Sequence, residues 1–397
     1  MSLKEFKPER IRFPIPTREL ERRWSLVREE MKKVGIDSIV MQNDNQWLGG
    51  YVRYFTDLPS EQAYPYTVIF PANDEMTVIS SGSSAPPPPP DWASRGIKEK
   101  IGLSYFRAFH YTNTVDAEAI VNVLKRRKDK RVGMINLGLI PAATYLYMKE
   151  QLTEVEFVDA TDLVDEIKAV KSDDEIEYIR KCVEIQDIAA EAVSTILRPG
   201  KYEYEIRSEL TRILTDLGSE EQWIMIGSDQ PGINTGQHPT FFQNRKIKKG
   251  DQVLIMIEVN GPGGYYGELG RTWCLGEPPK ELLRCWEIAL EAQKRAASLL
   301  KPGAKPGDVL IANNDFMISK GFAGEGRLFA HGQGYDLVER PALRPDETML
   351  LKTGMLIALH PIAANDQAYA FCCDNFLIKE NGGELLHKTP QKIMIIE

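Results

Sequence analysis

Three histidines and two glutamates in the second half of the chain are the side chains best suited to acid–base or metal chemistry. His238 lies in a segment rich in Gly, Pro and Asn, and an imidazole with an unperturbed pKa of about 6.5 suits proton transfer near neutral pH. His360 follows an apolar run, so a buried imidazole there would need polar partners. Glu258 lies within a mostly apolar run, and Glu268 lies in a glycine-rich segment that follows it. The structural alternative is a turn residue for His238 and core histidines with satisfied hydrogen bonds for His331 and His360.

The composition limits the class of protein to which these residues belong. A chain of 397 residues fits two domains, and 43% hydrophobic with 27% charged residues is typical of a globular protein. The sequence contains no apolar run of about 18 residues and no apolar signal core near its start, so we expect neither a membrane span nor export. A net charge of -8 argues against a nucleic-acid partner. Five cysteines without a repeating spacing indicate reduced thiols in a cytoplasmic protein.

The first half alternates helices and strands, as in a small α/β domain. Apolar residues recur at helical spacing in two segments, and short β-branched runs indicate strands. The predicted helices are Thr17–Val34 and Val115–Arg127, and the predicted strands are residues 39–41, 67–70 and 131–136. Five consecutive prolines at 86–90 predict a stiff extended segment, either a surface loop or a docking element.

The second half is predicted to be α+β. Ser172 with Glu175 three residues later is a capping box that starts a long helix. Further helices are predicted at Glu203–Leu217 and at residues 280–300. Short apolar runs separated by Gly and Pro lie between them and suit an antiparallel sheet. We therefore expect domains at residues 1–168 and 169–397.

Six sequence blocks in the second half resemble the creatinase, prolidase and methionine aminopeptidase superfamily, whose fold is called the pita-bread fold. The blocks occur in that superfamily's order, at residues 171–180, 234–238, 250–272, 331–334, 354–361 and 373–378. The first half resembles the creatinase-type N-terminal domain. The resemblance implies an α/β N-terminal domain followed by an α+β pita-bread domain, in a creatinase-like member of the superfamily.

The metal ligands of this superfamily's peptidases are altered in this chain. The resemblance places the Asp, Asp, His, Glu and Glu ligands at Met256, Glu268, His331, His360 and Cys373. A dinuclear site needs bridging carboxylates, because two cations about 3.5–4 Å apart must be neutralised together. Met256 cannot supply one. We therefore do not expect a two-metal aminopeptidase.

The remaining four positions leave two possibilities for the cofactor. Glu268, His331, His360 and Cys373 can all act as ligands, and two imidazoles, a thiolate and a carboxylate suit one zinc or iron ion. The alternative is the metal-free arrangement of creatinase, in which the corresponding residues bind substrate.

The resemblance also implies roles for further residues. His238 matches the histidine that creatinase uses for proton transfer, so we expect it to be catalytic together with Glu258 and His331. His360, Arg271 and Asp374 are expected to contact substrate. The alternative for Arg271 and Asp374 is a structural ion pair behind the site.

A segment of the first half is predicted to complete the site of a neighbouring subunit. Creatinase draws part of its pocket from the partner through this region, so the resemblance implies a homodimer in which Tyr51, Arg53, Tyr54 and Phe55 reach across, with Phe55 binding substrate. The substrate-binding arginine of creatinase corresponds to Asp57 here, so creatine is not the expected substrate.

These observations predict a hydrolase, of the creatinase or aminopeptidase P kind, that cleaves a C–N bond of amide or amidine type in a small polar molecule. Water would be activated by His238 or by one metal ion, and Glu258 would orient the substrate or transfer protons. Three alternatives stay open: a lyase acting on a small carboxylate of the dimethylsulfoniopropionate type, an Xaa-Pro dipeptidase, and a non-catalytic binding protein. The family's second histidine after the His-Gly-x-Gly block is replaced by Val338, which disfavours peptide cleavage.

Overall fold

The structure, a computed structural model, describes residues 11–84 and 90–397. The chain divides into two compact units, the first ending at Lys168 and the second starting at Ala169. Residues 85–89, which include most of the predicted proline segment, lie outside the described residues. Within the described ranges, no helix has both the length and the apolar character needed to cross a membrane.

The first unit is a six-stranded sheet with helices. Its elements are α1 Thr17–Val34, β1 Ser38–Asn43, α2 Tyr51–Thr56, β2 Tyr66–Pro71, β3 Met76–Ser81, β4 Ile97–Leu103, α3 Val115–Arg127, β5 Arg131–Met134, α4 Ala142–Gln151, β6 Glu156–Asp159 and α5 Thr161–Lys168. The strand order is β4-β3-β2-β1-β5-β6. The pairs β1–β2 and β2–β3 are antiparallel, and the other three pairs are parallel. This is the mixed sheet of an α/β domain.

The second unit contains two larger sheets and four helices within the described residues. Its elements are α6 Asp173–Ile196, α7 Glu203–Leu217, β7 Glu221–Asp229, β8 Gln252–Asn260, β9 Tyr266–Cys274, α8 Lys280–Leu299, α9 Pro306–Ser319, β10 Ala330–Gly332, β11 Glu339–Ala342, β12 Leu356–Leu359, β13 Ile362–Asn365, β14 Ala368–Phe371, β15 Asp374–Lys379, β16 Gly382–Leu385 and β17 Met394–Ile395. One sheet has the order β17-β9-β8-β7 and the other has the order β11-β10-β12-β15-β16, while β13 and β14 form a hairpin.

The predicted elements agree closely with the observed ones. The helices α1, α3 and α7 have the predicted bounds, and α8 ends one residue before the predicted end. The capping box is formed, because Glu175 N–H donates to Ser172 Oγ at 3.2 Å and Ser172 N–H donates to a Glu175 carboxylate oxygen at 2.8 Å. Strand β5 stops earlier than predicted because Asn136 adopts a positive φ of 51°. The prediction of an α/β half followed by an α+β half is confirmed.

The central strands of the second unit explain how a polar site forms inside an apolar sheet. Strand β8 is buried along its whole length. One face, including Ile255 and Ile257, packs into the apolar core formed with α6 and α7. Because side chains alternate along a strand, Met256 and Glu258 point to the opposite face. The bridge between Gly270 and Cys373 joins β9 to the segment before β15, so the two sheets meet beside this face.

Candidate active site

Two carboxyl groups face each other across the β8–β9 pair. Glu258 and Glu268 are directly opposite in the antiparallel register, and both side chains are buried. Residues directly opposite in such a pair have Cβ atoms about 5 Å apart, so two ionised carboxylates at these positions would repel each other strongly. This arrangement requires a proton, a cation or a cationic substrate group to be stable.

Two imidazoles complete the polar group. His331 lies in β10, and His360 directly follows β12, which pairs antiparallel with β10. Their ring centroids are 5.2 Å apart, and His331 Nε2 lies 3.5 Å from a Glu268 carboxylate oxygen. His331 Nδ1 lies 3.0 Å from the Gly332 carbonyl, which can only accept, so we assign the proton to Nδ1. The lone pair of Nε2 is then directed towards Glu268.

Burial sets the charge state of these four groups. It raises the pKa of Glu268 to about 7, and burial together with the charge of Glu268 raises the pKa of Glu258 well above its ordinary value. Burial also lowers the pKa of His331 to about 4 and lowers the pKa of His360 well below its ordinary value. At neutral pH both imidazoles are neutral, and the pair formed by Glu258 and Glu268 retains a proton. An acid and a base therefore lie side by side.

A buried amide network holds the carboxyl pair in place. Gln333 Nε2 lies 3.4 Å from a Glu258 carboxylate oxygen and 3.3 Å from one of Glu268. Its side-chain oxygen accepts from Asn375 Nδ2 at 2.7 Å, while Asn375 Oδ1 accepts from the Glu268 main-chain N–H at 2.7 Å. Gln333 is the variable residue of the His-Gly-x-Gly block, and sequence reasoning did not assign it a role.

The four groups line a cavity of about 500 Å³, a volume suited to a small molecule. Sequence reasoning missed four polar residues of its wall: Gln237, Glu325, Arg327 and Tyr369. Arg327 precedes His331 by four residues, but it lies in a loop without periodicity that could reveal its direction. Tyr369 alternates with Phe371 along β14, and both line the cavity. This alternation ends two residues before Cys373, which was predicted to be a ligand. It is the sequence pattern that could have identified Tyr369 as a residue of the cavity wall.

Three of the four predicted metal ligands come together. A Glu268 oxygen and one nitrogen each of His331 and His360 lie within 4.8 Å of one another. Two imidazoles and one carboxylate are a ligand set that zinc and ferrous iron both use, so these residues fit a single divalent ion.

The structure leaves the fourth predicted ligand, Cys373, outside this group. Its sulfur lies 3.7 Å from the main-chain carbonyl of Glu268 and packs with Leu254, Met256 and Phe371 in an apolar cluster. Burial, together with the charge of Glu268, raises the pKa of the Cys373 thiol well above its ordinary value. The structure thus brings three of the four predicted ligands together, and metal binding by Cys373 stays a prediction.

His238 does not line the cavity, although its neighbour Gln237 does. The main chain of His238 pairs with that of Ile226 in β7, with N···O distances of 3.1 and 3.2 Å. Its imidazole acts electrostatically on Glu203, which hydrogen-bonds Ser228. Since successive residues of an extended segment point to opposite sides, Gln237 faces the cavity and His238 faces away from it. The structure does not place the His238 side chain in this cavity, and its catalytic role stays a prediction.

Arg271 and Asp374 form a fully buried ion pair and are not available to substrate. Arg271 Nη2 donates to Asp374 Oδ1 at 2.6 Å, and both side chains have no exposed area. The remaining guanidinium nitrogens donate to main-chain carbonyls, including those of Gly270 and Cys373. The substrate-binding prediction for this pair is therefore wrong, and the structural alternative describes it.

The predicted contribution of the first unit to a neighbouring pocket is also corrected. Phe55 has no exposed area, and its ring packs against Phe70 at a centroid distance of 4.7 Å. Tyr51 donates to Asp165 at 2.6 Å, and Asp57 accepts from Arg95. Arg53 and Tyr54 are buried as well. A homodimer stays a prediction, but these side chains belong to the core of their own unit.

The fold and the site together define a member of the creatinase, prolidase and aminopeptidase P class, with a carboxyl pair and two imidazoles where its peptidases bind metals. Residues 177–380 match the model of metallopeptidase family M24, and residues 23–170 match the creatinase/prolidase N-terminal domain. The chain belongs to family M24. The predicted superfamily is confirmed, as is the predicted enzyme class, a hydrolase acting on C–N bonds.

Characterised relatives and solved structures agree with this assignment. The chain is 26% identical to the creatinase of a Bacillus species over 411 residues, which cover 96% of this chain and 93% of that protein. It is 28% identical to the Xaa-Pro dipeptidase of Pyrococcus furiosus over 255 residues, covering 62% and 71%. The X-Pro aminopeptidase of Thermotoga maritima has a TM-score of 0.80 at 18% identity, covering 94% of this chain and 99% of that one. An Xaa-Pro dipeptidase from Bacillus anthracis has a TM-score of 0.78 at 21% identity, covering 95% and 100%. These structures confirm the predicted pita-bread fold.

The buried ion pair predicts a loss of stability without a specific effect on substrate binding. Asp374→Asn leaves Arg271 buried without a counter-charge and should lower the free energy of unfolding by about 3–5 kcal/mol. The matched control is Asp346→Asn, whose partner Arg344 is exposed, and which should lower the free energy of unfolding far less. Urea unfolding followed by circular dichroism measures both. Equal small losses would contradict the structural role.

A buried histidine predicts that acid destabilises the fold. Burial lowers the pKa of His387 to about 4, although Asp374 opposes this, and the neutral ring accepts from Asn375 N–H at 3.2 Å. Because the unfolded chain binds this proton near pH 6.5, the stabilisation is present above pH 6.5 and is lost as pH falls towards 4, by up to about 3 kcal/mol. His387→Gln should flatten this part of the stability–pH curve, whereas the same change at exposed His110 should not. Parallel wild-type and His387→Gln curves would contradict the prediction.

Proposed function

We propose that this protein hydrolyses a C–N bond of amide or amidine type in a small polar molecule, with Glu258 as the proton donor. The observation that carries the proposal is the buried Glu258–Glu268 pair beside two neutral imidazoles in one cavity. Hydrolysis needs a base for the attacking water and an acid for the leaving nitrogen. The two carboxyls have different proton affinities and can supply both.

The roles follow from the charge states. Glu258 retains its proton at neutral pH and transfers it to the leaving nitrogen, which departs as an amine. Water is activated at the end of the cavity formed by Glu268, His331 and His360. The pKa of Glu268, about 7, allows its carboxylate to take a proton from water near neutral pH. A divalent ion held by the same three residues would lower the pKa of the attacking water.

Two residues that line the cavity favour a small substrate over a peptide. Val338 lies in the wall where the family's peptidases place a second histidine that helps to position the scissile amide. Met256, at the position of the first metal-binding aspartate, belongs to an apolar cluster with Leu254 and Phe371. Both substitutions remove groups on which the two-metal peptidase reaction depends.

The proposal predicts that Glu258→Gln lowers kcat by about 100-fold or more, because general acid catalysis contributes on the order of 10²–10⁴. The substrate would come from a screen of N-acyl amino acids, amidino acids and Xaa-Pro dipeptides, with products identified by mass spectrometry. Glu277→Gln makes the same change at an exposed residue beyond β9 and should leave kcat unchanged. Turnover of only Xaa-Pro dipeptides, or an olefinic product, would replace the proposal with the dipeptidase or the lyase alternative.

The site also predicts one divalent ion per chain. After loading with Zn²⁺ or Fe²⁺ and dialysis, wild type should retain one equivalent, while His331→Ala and His360→Ala should lose it. Cys373→Ser and the exposed control His110→Ala should retain it, because neither residue belongs to the cluster of ligand atoms. Metal content by plasma mass spectrometry gives the result. Two equivalents, or loss in Cys373→Ser, would contradict the assignment. If wild type retains no metal, Glu268 acts as the base for the attacking water without a metal ion.

A further inference from the structure

A second, smaller cavity of about 220 Å³ lies beside the catalytic cavity. Its wall is formed by α9, by the loop that follows α9 and by β13. Glu325 and Ile362 line both cavities, so the two cavities are neighbours. The proposed acid and base, Glu258 and Glu268, line only the larger cavity, so the smaller one is a separate place for a ligand.

Apolar side chains form one part of the wall of the smaller cavity. Met317 lies four residues after Asn313 on α9, so the two residues share one face of the helix. Ile362 and Ala364 alternate along β13 and share one face of that strand. Phe322, in the loop after α9, adds an aromatic ring that is 8% exposed. These side chains suit a short alkyl chain.

The polar part of the wall offers a buried acceptor. Asn313 is 5% exposed, and its Oδ1 is buried without a hydrogen-bond partner in the described structure. Its amide orientation is defined, because Asn314 Oδ1 accepts from the Glu325 main-chain N–H at 2.8 Å and from Asn313 Nδ2 at 3.3 Å. A buried acceptor without a donor costs free energy, so this oxygen favours a ligand that donates.

Glu325 adds a negative charge where the two cavities meet. It is the one charged side chain among the described residues that line the smaller cavity. One of its carboxylate oxygens accepts from the Arg327 main-chain N–H at 2.7 Å, and the other accepts no hydrogen bond from the described residues. Arg284 lies over the Phe322 ring, 5.0 Å from its centroid, but it is paired with Glu281 at 2.8 Å, so its charge is already balanced.

We propose that the smaller cavity binds a primary ammonium group on a short alkyl chain. An ammonium group supplies N–H donors and a positive charge but no acceptor, which matches Asn313 Oδ1 and the Glu325 carboxylate. The alkyl chain packs against Met317 and Phe322. The inference goes beyond the proposed reaction, because this cavity and its acceptors are separate from Glu258 and Glu268.

Three probes separate the contributions of charge and of hydrogen-bond donors: n-butylammonium, 1-butanol and tetramethylammonium. Nuclear magnetic resonance of ¹³C-methyl-labelled methionine reports where each probe binds, because Met317 lines the smaller cavity whereas Met225 and Met256 line the catalytic one. n-Butylammonium should shift the Met317 signal and should bind wild type about tenfold or more tightly than either other probe.

Two variants test the acceptors separately. Asn313→Leu removes the buried oxygen and Glu325→Gln removes the charge, so each should weaken n-butylammonium binding by about tenfold. Because Glu325 lies half-buried in a loop, Glu325→Gln keeps the test valid if Asn313→Leu fails to fold. The matched control Glu287→Gln removes a charge from an exposed position on α8 and should bind like wild type. Circular dichroism of each variant checks that the fold is kept.

The outcomes separate this site from the proposed reaction. Equal binding of n-butylammonium and 1-butanol, shifts of Met225 or Met256 in place of Met317, or wild-type affinity in the folded variants would overturn the ammonium site. A Met317 shift that the variants lose, in a protein that hydrolyses none of the compounds screened, would support the site while contradicting the proposed function.

Discussion

The antiparallel register of β8 and β9 places Glu258 directly opposite Glu268, and the burial of both carboxyls is the constraint on which the site depends. Two ionised carboxylates would repel each other strongly there, because both are buried and their nearest basic neighbour in the cavity wall, Arg327, is exposed and forms no ion pair with either. Gln333 offers one amide group to the pair, which orients the carboxyls but does not neutralise them. The cavity therefore holds either a shared proton or a bound cation, and both are useful for hydrolysis.

The substitutions in the family's metal-binding positions are consistent with this constraint. Met256 fills one metal position with an apolar side chain, and Cys373 packs beside it, so the region of the second ion has become part of a hydrophobic cluster. His360 replaces a carboxylate with an imidazole that burial keeps neutral. The remaining Glu268, His331 and His360 carry at most one negative charge, which suits one divalent ion and not two. Membership of the family thus fixes the fold, while these residues set the chemistry.

The sequence predicted the fold and the central residues, because helices have strong periodicity and the sequence blocks occur in a known order. It failed where the outcome depended on contacts between distant segments. Arg271 and Asp374 are 103 residues apart, and their pairing cannot be seen before the strands are placed. Gln237, and not His238, faces the cavity, which is decided by the direction of an extended loop. Phe55 is an aromatic residue near a loop, and only the packed core shows that it is internal.

The protonation of Glu258 at neutral pH is the central claim of this account, and infrared difference spectroscopy tests it most directly. Metal-stripped wild-type protein at pH 7 should show the C=O stretch of a protonated, buried carboxylic acid, and this band should be missing from Glu258→Gln. The exposed control Glu277→Gln should keep the band. A wild-type spectrum without the band, or a band that persists unchanged in Glu258→Gln, would contradict the claim.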